Sequence, residues 1–145
     1  MNAKPCKPEA MPWLCPYLVV RDVETAMSFY ADVFGMRKGM VYGEPDGKPF
    51  YGEMWHENAS VLVGLPRSGK THVPKRDTAA TLYAYTPDVD ALAQQAASAG
   101  AEVLQPPADQ FWGDRTCLLC DPDGHAWMWA THQRDIDLPR AGREG

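Results

Sequence analysis

The chain repeats itself once, and that repeat limits its fold more than any other feature. Asp22-Val23-Glu24 and Asp88-Val89-Asp90 stand 66 residues apart. Each opens an apolar stripe at helical spacing, and each stripe is closed by a glycine; Gly35 and Gly100 lie 65 residues apart. Asn58-Ala59 before one short apolar run matches Asp123-Gly124 before another. Two copies are too few for a solenoid. They fit two sheets side by side, with helices covering one face and the other face left as a concave wall.

The first copy reads β-α-β-β-β. Residues 13–20 (WLCPYLVV) suit a strand, with Pro16 tolerable at an edge or near a strand start. Asp22 caps a helix in which Val23, Ala26, Met27, Tyr30 and Phe34 recur at intervals of three and four. Gly35 stops it. Strands follow at 37–42, 50–56 and 60–64, with turns at Glu44-Pro45-Asp46-Gly47 and at Asn58. The polar stretch 65–80 is a linker.

The pattern then restarts. Residues 81–85 form a strand, and Asp88 opens a helix with Val89, Leu92, Ala93, Ala96 and Ala97 on one stripe, ended at Gly100. Residues 101–104 form a strand. The stretch 109–132, DQFWGDRTCLLCDPDGHAWMWATH, supplies a loop with two aromatics and the last hairpin, turned at Asp121-Pro122-Asp123-Gly124. Beyond the turn, His125, Trp127 and Trp129 alternate with Ala126, Met128 and Ala130, so the large rings share one face and the slimmer side chains the other. The organisation is a mobile tail at 1–12, modules at 13–64 and 81–132 joined by the linker, and a tail at 133–145.

Composition narrows the function. A net charge of −5 argues against the basic face that nucleic-acid binding wants. No apolar run approaches the roughly 20 residues that span a bilayer, and the N-terminus lacks the apolar core of a secretory signal. A cytoplasmic location is expected, with the four cysteines reduced. Cys117 and Cys120 form a CxxC, but residues three apart on a strand face opposite ways and no second pair exists, so no zinc site is assigned.

Three segments resemble the vicinal oxygen chelate superfamily, which includes glyoxalase I, bleomycin-resistance proteins and extradiol dioxygenases. They are PYLVVRDVETAMSFYADVFGM at 16–36, TPDVDALAQQAASAGAEV at 86–103 and the stretch 109–132. FWGDR with DPDGH looks most like the small glyoxalase/bleomycin-resistance branch. The resemblance implies an α+β fold of two βαβββ modules, their curved mixed sheets set around a cleft with helices on the outer face, and a homodimer. In metal-using members, ligands come from strands one, four, five and eight. Carried over by position, those places hold Cys15, Val63, Thr81 and Met128. A divalent ion wants carboxylates or imidazoles, so this set argues against the family's metal chemistry at its usual place.

Strand parity then lists the cleft wall. Trp13, Tyr17 and Val19 share the phase of Cys15; Tyr83 and Tyr85 that of Thr81; Val61 that of Val63; Ala126 and Ala130 that of Met128. Phe111 and Trp112 hang at the mouth, and Met40, Tyr42, Tyr51 and Trp55 are further wall candidates. The expected ligand-binding residues are Trp13, Cys15, Tyr17, Tyr83, Tyr85, Phe111, Trp112 and Met128, with no catalytic residue and no cofactor. The expected function is sequestration of a small aromatic or apolar, drug-like compound, as resistance proteins of the family do. The alternative is a lyase, isomerase or dioxygenase with a divalent metal on a rearranged set: Cys15, Glu53, His56 and His125. A third possibility is a domain that has lost its ligand and serves a partner protein.

Overall fold

The computed structural model describes residues 5–66 and 80–137. The expected linker and both expected tails therefore lie partly outside the described residues. The chain divides into two compact units, Met1–Pro74 and Lys75–Gly145. Each is a βαβββ module with a four-stranded mixed sheet and one helix, so the α+β class stands.

The first unit runs β1 (Tyr17–Val19), α1 (Val23–Phe34), β2 (Arg37–Gly43), β3 (Pro49–His56) and β4 (Ala59–Gly64). Its sheet order is β1-β4-β3-β2, with β1 parallel to β4 and the other pairs antiparallel. Asp22 accepts the backbone N–H of Thr25 at 2.9 Å, and Gly35 closes the helix at φ 69°. Val23, Ala26, Met27, Tyr30, Val33 and Phe34 are buried against the sheet. The helix sits so close that a Cβ on Gly52 would run into Met27 Sδ. Gly52 pairs with Val63, Val63 with Leu18 and Met54 with Val61, which places all of these on the helix side. Tyr17, Leu62 and Glu53 form the matching row on the open face.

The second unit runs β5 (Thr81–Tyr85), α2 (Val89–Ser98), β6 (Glu102–Asp109), β7 (Asp114–Cys120) and β8 (Ala126–His132). The sheet order is β5-β8-β7-β6, again with a parallel first pair. Asp88 accepts Ala91 N–H at 3.1 Å as the N-cap. Thr131 accepts Val89 N–H and donates to Thr86, and Arg115 grips Asp90 with two nitrogens at 2.8 and 3.0 Å. These bonds fix α2 on the face carrying Cys117, Leu119, Trp127 and Trp129, all 2% exposed or less. Asp121 accepts Trp127 Nε1 and the N–H groups of Asp123 and His125, each at 3.0 Å, and so holds the last turn.

Two strands differ from the sequence reading. The first starts at Tyr17 rather than residue 13, and Trp13 and Leu14 are exposed. Pro16 has no N–H to give the ladder, although its carbonyl still accepts Leu62 N–H at 2.8 Å. β6 extends to Asp109 rather than stopping at residue 104. Pro106 and Pro107 do not end it because β6 is an edge strand, and the register slips between Gln105 and Ala108, where they sit. Among the described residues, no helix is long and apolar enough to cross a membrane.

Candidate functional site

The open face of the second module carries a polar and aromatic row. β5 and β8 pair Tyr83 with Met128 and Tyr85 with Ala130; β7 and β8 pair Leu118 with Met128, Thr116 with Ala130 and Asp114 with His132. Partners in register share a face, so these side chains all lie opposite α2. Tyr83 and Tyr85 are 43% and 53% exposed, with ring centroids 5.5 Å apart in an edge-to-face pair.

Their hydroxyls converge on one carboxylate. Tyr83 donates to Asp114 Oδ2 at 2.6 Å and Tyr85 donates to the same oxygen at 2.9 Å. Trp112 Nε1 donates to the Tyr83 hydroxyl at 3.0 Å. The other oxygen, Asp114 Oδ1, lies 2.7 Å from His132 Nδ1, and His132 Nε2 lies 2.6 Å from Asp135 Oδ1. Asp114 itself is 2% exposed. Burial pushes its pKa up, but the hydrogen bonds from Tyr83, His132 and Tyr85 and the attraction of His132 outweigh that and hold it below the usual carboxylate range. Tyr83 is pushed up to about 12 by burial and by its bond to Asp114. His132 is raised, first by its bond to Asp114 and then by that to Asp135. The rings are thus neutral hydroxyl donors locked onto a charged acceptor.

The loop ahead of β7 is tied to the chain end. Gly113 has φ 97°, and a Cβ there would strike the Arg134 carbonyl. Its own carbonyl accepts Gln133 and Arg134 N–H at 2.9 and 3.2 Å. Phe111 packs edge-on to Trp112 at 5.0 Å and is 75% exposed.

The first module's open face differs. Tyr17 stacks on Tyr51 at 6.4 Å and Tyr42 approaches Tyr51 at 6.1 Å. Tyr51 donates to Glu53 Oε1 at 3.3 Å. Burial, then the Glu53 carboxylate, pushes Tyr51 up to about 12. Residues of the N-terminal arm overlie part of this face, and a surface cleft of about 460 Å³ is lined there by Cys6, Trp13, Cys15, Tyr51 and Glu53 among others. Lys7 stands 5.1 Å over the Trp13 ring and donates to the carbonyls of Pro8 and Met11.

Each expected residue can now be placed. Trp13 and Cys15 line the first cleft, and Tyr17 stands on the open face of the first module. Tyr83, Tyr85, Trp112 and Met128 share the second face, with Thr81 opposite Ala126 at its end. Trp127 and Trp129 pack under α2, stacked at 6.0 Å. Val63 and Val61 do not line the open face: they are buried on the helix side, and Leu62 takes the fourth-strand place opposite Tyr17. The hairpin turns explain the slip. Only Glu57 and Asn58 separate the paired His56 and Ala59, whereas five residues, 121–125, separate Cys120 from Ala126. Matching the turns therefore displaced the alignment by one residue, which inverts a strand's faces.

The family's metal positions are then Cys15, Leu62, Thr81 and Met128, and this donor set does not fit a divalent ion: one thiol, one hydroxyl, one thioether and one alkyl chain. In the rearranged set, Glu53 and His56 do not share a face. Glu53 faces the open side, His56 has the opposite phase on β3, and His125 is buried in a turn of the other unit. Among the described residues, no three His, Cys, Asp or Glu side chains gather as a metal-binding group. Sequence reading put neither Asp114 nor His132 among the expected site residues. The signal was present: two and four residues beyond Met128, Ala130 and His132 keep its phase.

A model of the Glyoxalase/Bleomycin resistance protein/Dioxygenase superfamily matches residues 11–129. The uncharacterized protein Mb0911c of Mycobacterium bovis is 35% identical over 134 residues, covering 88% of each chain. Among solved structures, TioX from Micromonospora sp. ML1 superposes with a TM-score of 0.67 at 24% identity, over 82% of this chain and 97% of that one. TnmS3, an antibiotic binding protein from Streptomyces sp. CB03234, superposes at 0.64 with 21% identity, over 82% and 93%. At such identities the two structures speak for the fold alone. The family match spans both modules and the mycobacterial relative is matched along most of its length; the chain belongs to the glyoxalase/bleomycin resistance protein/dioxygenase superfamily.

Proposed function

We propose that the protein binds a small, flat aromatic molecule by stacking on its open sheet faces, chiefly that of the second module, and that it does so without a metal ion. The observation that carries this reading is the pair Tyr83 and Tyr85, exposed as rings yet fixed through their hydroxyls by buried Asp114. An aromatic platform already ordered loses little freedom on binding. Each aromatic contact contributes roughly 0.5–1.5 kcal/mol beyond area burial, and about 200 Å² of apolar surface adds about 5 kcal/mol before association costs. Met128, beside Tyr83, extends the surface with a soft thioether side chain at a place where metal-using members of the family carry a ligand. The antibiotic binding protein TnmS3, of the same fold, supports a small-molecule role.

Titration calorimetry of chelator-treated protein against flat aromatic compounds tests this. The expected result is binding that persists without metal and weakens about tenfold in Tyr83→Ala, in line with one lost aromatic contact. Binding or turnover that requires an added divalent ion, and is abolished by Cys15→Ala or His56→Ala, would establish the metal-dependent alternative instead.

A further inference from the structure

The open face of the second module ends in an imidazole held between two carboxylates. His132 is the last residue of β8, its side chain about half exposed, with Asp114 on Nδ1 and Asp135 on Nε2. An ionised carboxylate only accepts hydrogen bonds, so both ring nitrogens are satisfied together only when both carry protons. The two partners are unequal. Asp114 is buried and also holds Tyr83 and Tyr85, whereas the Asp135 side chain is fully exposed and lies three residues along the chain from His132.

We infer that this end of the face is an anion subsite: His132 takes the carboxylate of an aromatic acid lying on Tyr83 and Tyr85, and Asp135 holds that place until the ligand displaces it. The inference rests on the aromatic-binding reading and names the chemical class of its ligand. Asp114 joins the two parts, since one of its oxygens receives the tyrosine hydroxyls and the other the imidazole. The exchange conserves charge: one carboxylate leaves Nε2 and another arrives. A neutral aromatic has nothing to offer Nε2 and leaves Asp135 where it is. The groups around His132 are Asp114 from β7, Tyr83 and Tyr85 of β5 beyond it, and Asp135 with neighbouring Arg134 on the segment after β8. Arg115, next to Asp114, points away to Asp90 and Asp109.

The test compares naphthoate with its neutral amide, naphthamide, by calorimetry on the full chain. Naphthoate is expected to bind several-fold more tightly, with the advantage fading as pH rises and His132 loses its proton. Naphthoic acid stays ionised throughout, carboxylic acids titrating near pH ~4. Asp135→Asn is a surface change that removes the competing anion, so naphthoate should tighten several-fold while naphthamide is unmoved. His132→Gln should erase the difference between the two probes. If both probes bind equally in the wild type, and Asp135→Asn alters neither, the anion subsite is overturned while the aromatic face stands. If neither binds at any pH, the aromatic reading falls and takes the subsite with it.

Discussion

The two modules share a topology and differ in where each places its acid. In the first, the open-face row is Tyr17, Leu62 and Glu53; in the second it is Tyr83, Met128 and Leu118. Glu53 thus stands mid-sheet, where the second module has a leucine. The second module's acid, Asp114, stands at the first residue of β7 and is buried, with three side chains bonded to it. An acid in the middle of a face interrupts a stacking surface. An acid at its end orders the rings and leaves their faces free. Duplication has kept the caps, the helix-side core and the strand order, while the open faces have diverged.

Removing each acid tests that contrast most severely. Asp114→Ala should cost about 3 kcal/mol of unfolding free energy, because it strips the shared acceptor from two tyrosines and a histidine. Glu53→Ala should cost less than about 1 kcal/mol, since it loses a single long hydrogen bond. Urea denaturation measures both, and equal losses would erase the distinction between the faces. A smaller effect comes from placing a carboxylate at a metal-ligand position of the family. Met128→Glu sets a charge between Tyr83 and Leu118 and should weaken binding of a neutral flat aromatic about tenfold, consistent with desolvating a polar group at roughly 1–3 kcal/mol. Leu62→Glu, beside Glu53 on the other face, should leave that affinity within about twofold, well below that range. Calorimetry showing the reverse order would move the binding face to the first module.

The smallest effect is on pH dependence. The folded-state pKa of His132 is raised, so its contribution to stability is complete below the unfolded value near ~6.5 and is lost as pH rises through the folded one. Asp114 is lowered, so its contribution is present above the unfolded value near ~3.9 and is lost as pH falls through the folded one. Urea midpoints of the wild type should therefore decline as pH rises above ~6.5 relative to His132→Gln, and the two curves should run parallel if His132 makes no such contribution. The first module has no counterpart of this pair among the interactions described for its open face.

Much of the scaffold was legible because its signals are local. Asp22 and Asp88 cap their helices through a side chain reaching three residues on, and Gly35 and Gly100 take the positive φ that a helix end favours. Trp127 and Trp129 could be assigned to the core because a strand alternates strictly. What failed depends on distant partners. Residues 13–14 have strand-like composition, but among the described residues no strand pairs with them. Pro106 and Pro107 look like a stop, yet an edge strand tolerates them through a slipped register. Val63 was put on the wrong face by a one-residue turn mismatch that only pairing reveals. Asp114 gave the least warning, since an acid between glycine and arginine in a loop motif looks solvated until the strand it begins is seen to bring it under two tyrosines.

The two stacked indoles have an optical consequence. Trp127 and Trp129 lie with 7° between their planes, both sealed in the second module's core. Rings so close and so nearly parallel couple their electronic transitions, giving a near-ultraviolet circular dichroism signature that belongs to this core. Trp112, bonded to Tyr83 on the open face, senses the other side of the same sheet. The protein therefore carries two native reporters in one module, one for the integrity of its interior and one for occupancy of its surface, and the two can be read in a single sample without a label.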